Sequence, residues 1–143
     1  MRDKNIHDAS AYLLSKFDRP VATSKLQLLM YLAQGWHLAL DGEPLFDNEY
    51  TAGKLGPFSQ ELRSSFREED QAVSSWKLGN EIRLTRENKI ILDSIARQYG
   101  ALTSLEIRSI GNKNKSVIPW VGTGDIIDKS EIKSGFKKFL DVK

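Results

Sequence analysis

The 143-residue chain contains no cysteine, which rules out disulfides, thiolate metal sites and thiol nucleophiles together. It has two histidines, His7 and His37, without H-E-x-x-H or H-x-x-x-H spacing, so an ordinary zinc site lacks nitrogen ligands. No apolar run is long enough to span a bilayer. The richest, Leu26 to Leu40, is interrupted by Gln27, Gln34 and His37. The start, Met1-Arg2-Asp3-Lys4-Asn5, reads into an amphipathic segment rather than a signal peptide. Charge of one sign is scarce too. A net charge of +2 falls short of the concentrated positive charge of a dedicated nucleic-acid binder. These features lead to the expectation of a cytoplasmic protein with no metal and no cofactor.

The familiar catalytic patterns are missing as well. There is no G-x-S-x-G; Gly53-x-x-Gly56 is too short for a P-loop, and Gly122-x-Gly124 lacks both a preceding strand and a third glycine. Glu68-Glu69-Asp70 is a polar cluster without the apolar setting that tunes a general acid or base. The chain is therefore expected not to be an enzyme.

What is present is ordinary globular material. With 40% hydrophobic and 28% charged residues, a chain of this length folds around its own core as a single domain over residues 1–143. The first predicted helix runs from about Asn5 to Phe17 and stops before Arg19-Pro20, with His7 on its surface. The second is the strongest. Ser24 and Gln27 have capping-box spacing, Leu26, Leu29, Met30, Ala33, His37 and Leu40 form one stripe, and Asp41-Gly42 closes it. Leu28, Leu32, Trp36 and Ala39 make it apolar nearly all round, which predicts a central helix and a hydrogen-bonded core position for His37.

A short hairpin is predicted next, Pro44-Leu45-Phe46 against Glu49–Ala52 through Asp47-Asn48. Gly53–Pro57 then reads as a loop opening a third helix with Phe58, Leu62 and Phe66. Trp76–Leu78 and Ile82–Leu84 flank Gly79-Asn80 as a second small extended pair. Thr85 opens a fourth helix ending at Gly100. Thr103 with Glu106 opens a fifth. Asp128 with Glu131 opens the last, striped by Ile132, Phe136, Phe139 and Leu140. The fold class expected is mostly α, about six helices with one or two short β-hairpins.

The run from Ser24 to Leu40, containing Lys25-Leu26-Gln27 and Ala33-Gln34-Gly35-Trp36-His37, resembles the signature of the Panacea domain, a family also described as SocA-like antitoxins or GepA-like phage-associated proteins. Gly42-x-Pro44-Leu45-Phe46, Lys54-x-Gly56-Pro57, Tyr99-Gly100 with Thr103–Glu106, and Pro119-Trp120 resemble later family segments in the same order. The family often has an aromatic where Gly53 stands, Val where Phe58 stands, and a histidine with an acid before Pro-Trp. Residues 111–116 here contain neither, so no role for that histidine carries over.

The resemblance implies a non-enzymatic antitoxin that neutralises a toxin protein encoded nearby, by direct binding or by handing it to a protease or chaperone system. The surface expected to bind comprises Tyr31, Trp36, Leu45, Phe46, Lys54, Gly56, Pro57, Phe58 and Trp120. Aromatics are frequent binding anchors, and the hairpin edge could add a strand to a partner. The alternative is a DNA-binding regulator of its own operon, contacting phosphates through Lys133 and Lys137, which are four apart on the last helix.

Overall fold

The computed structural model describes residues 5–54, 56–66, 72–113 and 123–141. Six α-helices dominate them: α1 (Ile6–Leu14), α2 (Thr23–Asp41), α3 (Gln60–Ser64), α4 (Arg86–Tyr99), α5 (Ser104–Lys113) and α6 (Lys129–Asp141). Five short strands complete the fold: β1 (Val21–Ala22), β2 (Tyr50–Gly53), β3 (Gly56–Phe58), β4 (Ala72–Val73) and β5 (Ile126–Ile127). The mostly α class expected from the sequence is the one observed.

α2 is the axis. Leu26, Leu29, Met30, Leu32 and Ala33 are fully buried, and α1, α4, α5 and α6 all pack against it. The buried apolar side chains form one cluster, from Ile6 and Leu13 of α1 through α2 to Leu92, Ile107 and Phe136. Gly42 ends α2 in the left-handed conformation (φ 90°), as its position after Asp41 predicts. Thr85 and Asn88 form a reciprocal capping box at the start of α4. Thr103 and Glu106 form the one predicted before α5, with bonds of 2.9 and 3.1 Å.

The predicted Ser24–Gln27 box is not formed. Ala22 is the N-cap of α2 and no side chain caps that turn. Ser24 Oγ instead meets Ser104 Oγ at 3.0 Å. Gln27 points inward, where its Oε1 accepts from Ser59 N (2.8 Å) and its Nε2 donates to Ser59 O (3.0 Å). At the third capping pattern Asp128 accepts from Ser130 N at 3.4 Å.

The first hairpin lies further along the chain than predicted. β2 pairs antiparallel with β3, Thr51 opposite Phe58 and Gly53 opposite Gly56, so the turn is at Lys54 rather than at Asp47-Asn48. β5 joins the other edge of β2, with Tyr50 opposite Ile127. Leu45 and Phe46 need no strand partner because a side chain replaces one. Gln34 Oε1 accepts from Leu45 N (2.8 Å) and Phe46 N (3.3 Å), and its Nε2 donates to Phe46 O (2.8 Å). Asn48, read as a turn residue, accepts from Ile6 N and so ties this segment to the start of α1.

The second predicted pair is absent as well. Residues 81–83 form a 3₁₀ turn capped by Asn80, and the strand of this region is β4, paired with β1 (Val21 opposite Val73). The segment from β4 to α4 folds over α1, which corrects the surface placement of His7. His7 is 8% exposed. Its Nδ1 accepts from Trp76 Nε1 (3.0 Å), which leaves Nε2 to donate to Glu61 (2.9 Å). Asp8 accepts from Asn80 N, and Gly79 lies so close to the His7 carbonyl that a Cβ there would meet it at 2.0 Å.

The candidate protein-binding groove

Most of the residues that carry the α2 signature hold the fold together. Lys25 donates to the Gly100 carbonyl at the end of α4, and desolvation lowers the pKa of its ammonium. Gln27 fixes Ser59, and Gln34 fixes the Leu45–Phe46 backbone. Gly35 gives room to Phe136 of α6, whose ring atoms would lie 2.1 Å from a Cβ at that position. Trp36 meets the same ring edge-on at 5.2 Å and donates to Tyr99 OH at 3.2 Å. His37 is buried and hydrogen-bonded, as expected. Nδ1 donates to the Glu43 carbonyl (2.7 Å) and Nε2 accepts from the Asn88 amide (2.8 Å), a neutral tautomer that links the end of α2 to the start of α4.

This arrangement divides the expected binding residues. Tyr31, Leu45 and Phe46 are at most 1% exposed and cannot meet a partner; they are core, which corrects their assignment. Tyr31 packs edge-on against Tyr50 (5.2 Å between ring centroids) and near Phe136. Burial raises its phenol pKa and that of Tyr50, whose hydroxyl donates to the Gln27 carbonyl. Trp36 is half-buried and, with the exposed Leu40, lines a cavity of about 240 Å³ between α2 and α4. Trp120 lies outside the described residues.

Lys54, Gly56, Pro57 and Phe58 lie together, Gly56 and Pro57 buried, Phe58 half-buried and Lys54 exposed. They form one wall of a groove of about 630 Å³. Thr23, Ser24, Gln27 and Leu28 at the start of α2, Arg63 and Phe66, and Arg108 of α5 line it as well. Phe58 belongs to β3, not to a helix as the sequence suggested. Ser59 caps α3 by accepting from Leu62 N. The Arg63 guanidinium sits 4.9 Å from the centre of the Phe58 ring, close enough for a cation–π contact. Phe66 packs edge-on against Trp76 of the segment that covers α1.

Arg63, Phe66 and Arg108 were not singled out by sequence reasoning. Phe66 was read as one of three helix-stripe residues, and nothing local marks Arg63 or Arg108. Only the α3–α5 packing about α2 brings them to the hairpin. The lysines of the alternative reading behave differently. Lys133 is half-buried with its ammonium on the Gly42 carbonyl (3.4 Å), and the neighbouring Lys129 reaches the Asp47 carbonyl (3.0 Å), so both help dock α6. Lys137 is exposed.

The family model for SocA-like antitoxins, Panacea domain, matches residues 26–116, a stretch that begins inside α2 and includes the hairpin, α3, α4 and α5. The chain belongs to the SocA-like antitoxin (Panacea domain) family. Comparison with curated proteins and with solved structures gives no match. Within this Panacea-domain chain, no group of three or more His, Asp or Glu among the described residues is placed to hold a metal ion. None of its described helices is long and apolar enough to cross a membrane.

Proposed function

We propose that this Panacea-domain protein is a cytoplasmic, non-enzymatic antitoxin that neutralises a toxin encoded beside it by binding the toxin directly. The hairpin groove, from Lys54 to Phe58 with Arg63 and Arg108, is the contact surface, and no cofactor takes part. The observation that carries this reading is a coincidence of position. Lys54, Gly56 and Pro57 are recognisable in sequence as a family segment, and with Phe58 they line an open groove, whereas Gln34, Gly35 and His37 hold the helices and loops together. A preformed concave surface with aromatic and arginine side chains is the kind that carries binding hot spots. Inhibition is then steric, the groove and its rim covering the toxin's active surface; delivery to a protease or chaperone system is the competing route.

The test is co-expression. The open reading frame adjacent to the gene is expressed alone and with this chain, and growth and co-purification are scored. The proposal requires a neighbour that is toxic alone, harmless together and recovered in a stable complex. A neighbour that is harmless alone, or whose toxicity is unrelieved, removes it. Relief that disappears when a protease is deleted, with the toxin persisting uninhibited in the complex, would favour delivery over steric cover.

A further inference from the structure

The groove is chemically one-sided. Its accessible apolar surface comes from the half-buried Phe58 and Phe66, the lining Leu28 and Pro57 being buried, while its charged side chains, Lys54, Arg63 and Arg108, are all cationic; no carboxylate lines it among the described residues. The charges are not idle surface lysines. Arg63 is held over the Phe58 ring, so a planar donor fork is set against an apolar wall. Arg108 has a buried Nε without a hydrogen-bond partner among the described residues, an unsatisfied donor where a bound acceptor would be gained without displacing an internal one. The first turn of α2, at Thr23 and Ser24, has no side-chain cap and adds the positive end of a 19-residue helix to the same side.

We infer that the groove receives an acidic side chain borne on an apolar stretch of the toxin, an Asp or Glu beside one or two large apolar or aromatic residues. This rests on the toxin-binding reading and names the chemistry of the contact. The carboxylate pairs with Arg108 and Arg63, and its apolar neighbours cover Phe58 and Phe66. A volume of about 630 Å³ suits a few side chains rather than a duplex, whose phosphates would gain nothing from apolar walls. Recognition by side chains also follows from the backbone. Pro57 offers no N–H, and both main-chain groups of Ser59 are taken by Gln27, so a partner strand finds few groups to pair with along β3.

The probe is the product of the adjacent reading frame, titrated against the parent chain and against Arg63→Gln, Arg108→Met and Lys54→Gln. Lys137→Gln is the remote control, and each variant's Tm is checked against the parent. The inference requires Arg63→Gln and Arg108→Met to weaken the complex at least about tenfold with Tm unchanged, Lys137→Gln to leave it as it was, and the parent complex to loosen with added salt. If the parent binds and the arginine variants bind equally well, the inference is overturned while the toxin-binding reading stands. If no complex forms with the parent, both fall. Neutralising the chain's own Glu68, Glu69 and Asp70, which lie outside the described residues, must not tighten the complex; tenfold tightening would make that run the groove's occupant and overturn the inference. So would salt-dependent binding of the gene's upstream duplex that the same arginine variants abolish.

Discussion

Replacing Gln34 tests how far a single buried amide organises the approach to the hairpin. Gln34 is 1% exposed and satisfies three backbone groups of a segment that has no strand partner, Leu45 N, Phe46 N and Phe46 O. Gln34→Ala leaves all three unpaired in the core. A buried backbone group without a partner costs about 1–3 kcal/mol, and the 3.3 Å bond to Phe46 N counts for less than the other two, so the expected loss is about 3–5 kcal/mol. That is a large part of the about 5–15 kcal/mol that holds a typical domain together, and corresponds to a fall in Tm of about 10–20 °C. Urea unfolding followed by circular dichroism measures it. Gln34→Glu refines the experiment, because the carboxyl keeps the acceptor for the two N–H groups and can donate to Phe46 O only when protonated. A loss below about 1 kcal/mol for Gln34→Ala would refute the reasoning, because water or a rearranged loop would then have satisfied the Leu45–Phe46 backbone.

Three further outcomes are expected. Gly35→Ala drives a Cβ to 2.1 Å from the Phe136 ring and should cost about 1–3 kcal/mol by overpacking, with Phe136→Leu recovering part of it in the double variant; additive losses would mean the two do not share that space. Tyr31 and Tyr50 keep their protons in the fold well above the ordinary phenol value of 10.0 because burial penalises the phenolate. Their contribution is complete below pH 10 and falls as pH rises through the raised values, at up to about 2.7 kcal/mol per pH unit for the pair; absorbance near 295 nm should show their ionisation only together with unfolding. Gly79→Ala pushes a methyl into the His7 carbonyl and should detach the segment from β4 to α4; limited proteolysis should then cut between residues 72 and 84 while far-ultraviolet ellipticity holds, and an unchanged digest would contradict this packing.

The legible parts of the sequence were those set by local chemistry. The α2 stripe as far as His37, the Gly42 stop, the Thr85 cap of α4 and the Thr103–Glu106 box before α5 depend on residues at most four apart and were found as read, while Leu40, the last residue of the stripe, is exposed. The misreadings share one cause, a polar side chain whose partner is far along the chain. Gln27 has box spacing from Ser24 but bonds 32 residues away, because packing brings the Ser59 backbone against the buried face of α2. His7 has surface-helix spacing but is covered by Trp76, 69 residues on. The hairpin was misplaced because Asp47-Asn48 reads as a turn between two short apolar segments, while the partner of Leu45 and Phe46 is a glutamine side chain rather than a backbone. The same reasoning applies to the groove. Lys54–Phe58 stood out as a motif, but Arg63 and Arg108 acquire meaning only where α3 and α5 meet α2. The unusual density of polar residues on an otherwise apolar α2, Gln27, Gln34 and His37, was the available sign that distant backbone would be docked there.

Whether the hairpin groove is where this antitoxin-family protein meets the proposed toxin is decided by amide hydrogen exchange of the chain free and in complex with the product of the adjacent reading frame. The account predicts added protection at residues 50–58, at α3 and at the start of α2, with α6 exchanging as in the free chain. Protection confined to α4 and α6, with the hairpin exchanging as before, would place the toxin on the opposite side of α2 and contradict the account.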